Sequence, residues 1–243
     1  MTLTHLALVG ATGRMGKAIY QLCSDQNIAL THAIARYHAG TDLGTVWQQH
    51  PLDLLVTAEP PIADKAWEAT QGIIDFATID NFDQRLDWYM AAQKPVVIGT
   101  TGLSEAHQDR LHILAQKVPV LWSANMSLGV MALQQSLQTM AHLFNDAEVY
   151  ERHHKHKKDS PSGTALMLGK ALENAGFDNI TYHATRHGTC AGTHRIVLTR
   201  DHETLTLEHV AENRTIFAKG ALEALKWLIN KPAGFLYNLT HMV

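Results

Sequence analysis

Apolar positions fall into two regimes along the chain. Over roughly the first half, short unbroken apolar runs at 6–9, 30–35, 54–57, 72–76, 95–99 and 119–122 stand out, with stretches near 81–93 and 104–117 that carry apolar residues at helical spacing. Strands buried on both faces read as continuous apolar runs, so this alternation predicts a parallel sheet covered by helices on both faces. Beyond Asn125 the pattern changes. Val130, Leu133, Leu137, Met140 and Phe144 recur on one helical face, a short strand is predicted over 147–150, and Ser162 is placed to cap a helix over 163–173 that stops by Gly176. Residues 194–199 and 204–210 then alternate apolar and polar as neighbouring antiparallel strands do, before helical spacing returns at Ile216, Leu222, Leu225 and Ile229. Runs of strands in place of strand–helix alternation mark a second domain of α+β type. Residues 37–61 read as a loop-rich connection holding a short strand.

Composition narrows the class without deciding it. With 243 residues and 46% hydrophobic content the chain can bury a full core in one large domain or two smaller ones. A formal net charge of −3 gives no field for nucleic acid or an anionic membrane, so neither is an expected partner. Cys23 and Cys190 are the only cysteines and share no Cys-x-x-Cys spacing, which argues against a disulfide framework or a zinc–thiolate site and for a reducing compartment. No apolar run approaches the ~18 residues of a membrane span, and the N-terminus lacks a basic segment followed by a long apolar one. The expected location is the cytoplasm.

Chemistry first enters after the opening apolar run, where Gly10, Ala11, Thr12, Gly13, Arg14, Met15 and Gly16 stand between a predicted strand and a predicted helix. In that context Gly10 allows a tight turn, Gly13 lets backbone approach a pyrophosphate, and Gly16 lets helix pack on strand, as in dinucleotide sites. A glycine-rich turn without ligand is the alternative. About 20 residues past the last glycine, an acidic side chain would hold the ribose 2′-hydroxyl of NAD. Arg36 stands there instead, and a guanidinium pairs with a 2′-phosphate, so NADPH is expected in preference to NADH, with Arg14 as a second cation. Ligands sit beyond the carboxyl ends of such strands, where Gly99-Thr100-Thr101-Gly102 and Ser123-Ala124-Asn125-Met126-Ser127 read equally well as ligand loops or ordinary turns.

The second concentration of chemistry is the run from Glu151 to Thr164, with His153, His154, His156, Lys155, Lys157 and Lys158 ahead of Ser162-Gly163-Thr164. Histidine exchanges protons near neutral pH, lysine donates a proton or pairs with an anion, and the first amides of a helix bind carboxylate oxygens. Such a run is a solvated basic loop, an adventitious metal-binding tract, or a site that protonates an anionic substrate. No acidic or cysteine ligand accompanies the three histidines at a familiar spacing, so no metal is expected.

Taken together these residues resemble the 4-hydroxy-tetrahydrodipicolinate reductase (dihydrodipicolinate reductase) family over nearly the whole chain. The strongest match is Glu151 to Ala165, where Ser160 replaces an alanine. The glycine turn with Arg14-Met15, the loops at 99–102 and 123–127 with Met126 in place of a phenylalanine, Arg186, Gly188, Gly192 and His194, and the start of the last helix at 217–221 follow in order. Two departures stand out: Arg36 occupies a position that is acidic in many members, and the chain is short between Ala165 and Arg186. The resemblance implies a Rossmann dinucleotide-binding domain over 1–125 and 216–243, and a substrate-binding and tetramerisation domain with a mixed sheet over 126–215, closing before hydride transfer. It implies reduction of a cyclic imine dicarboxylate with hydride from NADPH or NADH, which many members use alike and between which Arg36 favours NADPH here, in the diaminopimelate route to lysine, by a homotetramer. His153 and Lys157 would carry proton transfer, and His154, Gly163 and Thr164 would bind a substrate carboxylate. Gly10 to Met15, Arg36, Gly99, Thr100, Thr101, Ser123, Ala124, Asn125 and Met126 would hold the cofactor. A cofactor sensor without turnover and an amino-acid dehydrogenase on the same architecture are the competing classes.

Overall fold

A computed structural model describes residues 3–242. The chain divides into two compact units, Met1–Met126 with Phe217–Val243, and Ser127–Ile216.

The first unit opens with β1 (Thr4–Val9), α1 (Arg14–Cys23), β2 (Ile28–Ile34), a single turn α2 (Leu43–Val46), β3 (Val56–Thr57) and a second single turn α3 (Lys65–Glu68). It continues through β4 (Gly72–Asp75), α4 (Phe82–Ala92), β5 (Val96–Ile98), α5 (Glu105–Ala115) and β6 (Val120–Trp122). The second unit contains α6 (Leu128–Met140), β7 (Asp146–His153), α7 (Gly163–Asn174), β8 (Ile180–Arg186), β9 (Gly192–Arg200) and β10 (Glu203–Ala211). The chain then returns to the first unit with α8 (Thr215–Leu228) and β11 (Leu236–Tyr237).

The first sheet is parallel throughout, in the order β11-β6-β5-β4-β1-β2-β3. Its direction of growth reverses beside β1, so the loops after β1 and β4 part there and leave a crevice. Every residue of β4, Val9 and Ile98 on its neighbours, and Val120 on β6 are buried, as expected of strands covered on both faces. Ser104 caps α5 by accepting from the His107 amide, while the His107 ring accepts from the Ser104 amide.

In the second unit the mixed sheet β10-β9-β7-β8 pairs β7 antiparallel to β9 and parallel to β8. One pleat row carries Ala147, Val149, Ile196 and Leu198 into a core with Leu137, Leu168 and Leu172 of the two helices.

Several elements differ from expectation. The helix predicted to run to Phe144 ends at Met140 and closes in a 3₁₀ turn. The connection 37–61 includes α2, whose Asp42 cap also accepts from the Leu52 and Leu54 amides and so ties the loop together. Strand β8 was not predicted, because it is an edge strand with no unbroken apolar run and no fully buried residue. The two-residue β11 is likewise set by tertiary bonding, with the Gly234 amide donating to Ala115 O at 2.6 Å ahead of its pairing with β6. Most consequentially, β7 runs three residues past the predicted 147–150, so Glu151 to His153 lie on a strand and not in a loop.

Candidate active site

The first unit holds a cavity of about 340 Å³ at the carboxyl ends of its central strands, with Gly10, Thr12, Gly13, Arg36, Asp80 and Arg85 in its wall. Gly10 has φ +79°, and a Cβ there would meet the Ala77 amide at 2.7 Å, so the turn admits no side chain. Gly13 is the N-cap of α1, exposed and without a side-chain cap, and no acidic residue occupies the first turn. The first amides of α1 are therefore open to an external anion, as a dinucleotide pyrophosphate requires. Arg14 is exposed at that start, Met15 is half-buried, Gly16 packs against the Gly10 and Ala11 carbonyls, and Ala11 is fully buried beneath the turn. Arg36 reaches the cavity wall with its guanidinium 4.7 Å from the Tyr37 ring centre; it donates to the Tyr37 hydroxyl at 2.6 Å and lies 3.8 Å from Asp80.

Buried polar side chains fix the loops around this crevice. Asp75, fully buried at the end of β4, accepts from the Ala77 amide at 2.7 Å, Arg85 Nε at 2.9 Å and the Tyr89 hydroxyl at 2.6 Å. Arg85 spends its other nitrogens on the Asp80 and Thr78 carbonyls, at 2.6 and 2.7 Å, and so anchors the β4–α4 loop. Burial, then the Asp75 charge, drive the Tyr89 phenol far above its ordinary pKa, so it stays a donor. Thr100 donates to the Ala77 carbonyl at 3.1 Å and its own carbonyl accepts from Trp122 at 3.2 Å, joining the β4, β5 and β6 loops. Gly99 lies against the Phe76 ring, Thr101 is exposed, Ser123 donates to Asn125 O at 2.6 Å, Ala124 is exposed and Met126 is buried. All the cofactor residues expected from the sequence thus fall in this unit at strand ends.

In the second unit, the row that is apolar at Ala147 and Val149 turns polar at Glu151 and His153. Register places His194 of β9 opposite Glu151 and His209 of β10 opposite His194, while Arg186 of β8 lies beside His153. Glu151 is 4% exposed; its Oε1 accepts from the Ser162 amide at 2.9 Å and Arg186 Nη2 at 2.7 Å. Burial would raise the Glu151 pKa, but the Ser162 and Arg186 donors outweigh it and hold the carboxyl below its usual range. Oε2 lies 2.9 Å from His153 Nδ1, an ion-pair distance, although the angle is not that of a directed hydrogen bond. Burial lowers the His153 pKa, Glu151 opposes that, and Lys157 and Arg186 add to it.

Beyond β7 the chain turns through His154, whose amide donates to Cys190 O at 2.8 Å, and Lys157, whose Nζ lies 2.9 Å from Asp159 Oδ1. Burial would raise the Asp159 pKa; its contacts with Lys157 and the Gly163 amide hold it down. Ser162 caps α7 by accepting from the Ala165 amide at 3.2 Å; Gly163 is exposed and Thr164 half-buried on the first turn. The predicted His153, His154, Lys157, Gly163 and Thr164 therefore cluster at one sheet end, whereas His156 and Lys158 point outward as exposed residues.

Three acid–base side chains without a role in the sequence reading complete the cluster. Glu151 opens the histidine–lysine run, and its signal in the sequence is the alternation that continues the inward face of β7. His194 Nε2 lies 3.4 Å from the Ser162 hydroxyl, with its ring 5.1 Å from that of His153; burial brings its pKa down to about 4. His209 Nε2 lies 3.2 Å from the Ser127 hydroxyl. Glu151, His153 and His194 have ligand atoms within 4.8 Å of one another, the spacing of a metal triad. Yet Arg186 already saturates one oxygen of the carboxylate, and the Lys157 and Arg186 cations stand beside the group, which suits proton handling better than a cation.

Fold and cluster together define an oxidoreductase with an NAD(P)-binding Rossmann fold and a second, acid–base-equipped unit. Family models of dihydrodipicolinate reductase match residues 4–126 as its N-terminus and 129–243 as its C-terminus. The chain belongs to the dihydrodipicolinate reductase family. Among similar proteins, 4-hydroxy-tetrahydrodipicolinate reductase of Zymomonas mobilis subsp. mobilis is 36% identical, covering 95% of this chain and 93% of its own. That of Bdellovibrio bacteriovorus is 38% identical, over 82% and 89%. The fold is shared by a dipicolinate-bound dihydrodipicolinate reductase from Paenisporosarcina sp. TG-14, with a TM-score of 0.82 at 20% identity over 100% of both chains. The chain is thus a reductase of this family's kind.

Proposed function

We propose that this chain reduces 4-hydroxy-tetrahydrodipicolinate to tetrahydrodipicolinate with loss of one water, in the diaminopimelate route of lysine biosynthesis. The observation that carries this reading is the buried Glu151–His153 pair beside Lys157 and the start of α7. A bound nicotinamide cofactor supplies the hydride. The ring anion left by hydride addition takes a proton, which His153 donates from Nε2, since Nδ1 faces Glu151. Gly192 leaves room for that nitrogen, because a Cβ there would stand 3.0 Å from it. A placed donor lowers such a barrier by about 3 to 5 kcal/mol.

Lys157 acts as second donor and electrostatic partner, and with His154, Gly163 and Thr164 it holds a substrate carboxylate. Asp159 already sets a carboxylate against Lys157 and the Gly163 amide, which supports that use. The dipicolinate bound by the Paenisporosarcina relative has the two carboxylates this reading requires of the substrate. In the first unit the open start of α1 suits a pyrophosphate, and Arg36 in the cavity wall favours the 2′-phosphate of NADPH over NADH. The assembly we propose is a homotetramer joined through the sheet of the second unit, whose face away from α6 and α7 exposes Arg152, Arg195 and Glu208. The free thiols Cys23 and Cys190 accord with a cytoplasmic enzyme.

Initial rates with enzymatically generated 4-hydroxy-tetrahydrodipicolinate, NADPH compared with NADH, test the reading. Turnover is expected with both and a higher kcat/KM with NADPH. His153→Gln should cut kcat ~100-fold or more with cofactor affinity kept. Near-normal turnover in that variant would remove His153 as the proton donor.

A further inference from the structure

We propose that Glu151 is the positioning residue of the proton donor, holding the His153 ring with Nδ1 protonated and Nε2 presented for transfer, and that Arg186 holds Glu151 in turn. This rests on the reading of His153 as donor. The argument is one of placement. Glu151 and His153 are two residues apart on β7, so both side chains project from the same pleat, and Oε2 lies 2.9 Å from Nδ1. The carboxylate cannot rotate away, because Oε1 is fixed by Arg186 Nη2 at 2.7 Å and the Ser162 amide at 2.9 Å. Arg186 is itself tied to the Asp159 and Thr185 carbonyls, the latter at 2.8 Å.

Charge explains why such a residue is needed. A proton donor must be imidazolium when the ring anion forms, yet His153 is buried and faces cations. Among the described residues, the groups around it are Glu151 on its own strand, Lys157 and Asp159 from the following turn, Arg186 at the end of β8, Cys190 from the next loop, and His194 of β9 with His209 of β10 behind it. Lys157 and Arg186 disfavour the imidazolium; Glu151 and Asp159 favour it. Asp159 is exposed and already engaged by Lys157, so Glu151 is the buried anion that offsets the burial of the ring.

The pH dependence of kcat/KM in Glu151→Gln tests this. The basic limb should move to lower pH by about one unit or more, with kcat at pH ~7.5 down roughly 10- to 100-fold and KM for substrate within ~3-fold. Glu151→Asp should return part of the wild-type profile, and Glu151→Gln added to His153→Gln should cost nothing further. A basic limb that stays in place in Glu151→Gln overturns the inference. Because the variant leaves Arg186 less well paired and could misfold, ¹⁵N NMR of His153 in the wild-type chain is the second measurement. A neutral tautomer protonated on Nδ1 supports the inference, and one protonated on Nε2 overturns it. If His153→Gln itself turns over normally, the donor reading falls first; if it is inactive while the Glu151→Gln limb is unmoved, the role of Glu151 alone falls.

Discussion

Asp75 shows what a single residue contributes here and how little of it a sequence discloses. It ends an apolar run and reads as the last residue of a buried strand, yet its carboxylate carries three donors, one from the β4–α4 loop and two from α4. Arg85, its partner, is 4% exposed and sits ten positions on, in a stretch that reads simply as an amphipathic helix. Breaking a buried pair by removing one member leaves an uncompensated charge, so Arg85→Met should cost about 3 to 5 kcal/mol. Urea unfolding of the variant measures that loss, and Arg85→Lys should recover part of it. The place of Arg36 in the cavity wall, by contrast, follows from position alone, because its distance from the glycine turn is fixed by the strand–helix–strand unit. Arg36→Gln should lower kcat/KM with NADPH by about tenfold or more and leave NADH nearly unchanged, since one charge-assisted contact to phosphate contributes ~1.5 to 3 kcal/mol. Steady-state rates with the two cofactors decide it.

Among the elements, those with a strong period were readable: α4, α5, α7 and the strands β4 to β6 lie where apolar spacing and capping residues put them. The unreadable ones owe their form to neighbours. Strand β8 has an ambiguous pattern and is held by its pairing with β7 and by α7, where Gly169 leaves space that Tyr182 fills. The extension of β7 to His153 followed from alternation, but the density of histidine and lysine masked it and made Glu151 to Thr164 look like one loop. The strand instead delivers Glu151 and His153, the turn delivers Lys157, and α7 delivers Gly163 and Thr164. Ser162 joins these pieces, since it caps α7 and its amide donates to Glu151. Ser162→Ala should therefore destabilise the second unit by roughly 1 kcal/mol through the lost cap. Thermal unfolding checks the sign and size. Leu168→Ala, in the same helix but fully buried, should cost about 2 to 5 kcal/mol.

At the scale of the whole molecule, the division into two fold types was legible from the change in hydrophobic pattern, whereas the row of buried and half-buried histidines that links three strands was not. That row has a consequence for stability. His194, with a pKa of about 4 in the folded chain against an ordinary 6.5, binds a proton more readily when unfolded. Stability is therefore lost as pH falls from about 6.5 towards about 4, by an amount on the order of 3 kcal/mol for this residue. His32, His153 and His209 are depressed in the same sense, and Glu151, also lowered, adds to the loss at still lower pH as it becomes protonated. Denaturant midpoints measured across that range should fall on the acid side, and His194→Asn should flatten the slope.

The order of the strands also sets an order of events during synthesis. The first sheet takes its seventh strand, β11, from residues that follow the whole second unit, and α8 buries Leu225 against Gly72 of β4. A ribosome translating this chain makes every residue of the second unit before the first receives α8 and β11, the elements that complete its packing. Released chains truncated before Thr215 should therefore carry a protease-resistant second unit and a first unit that is cut more readily, and full resistance of the first should appear only in chains that include β11.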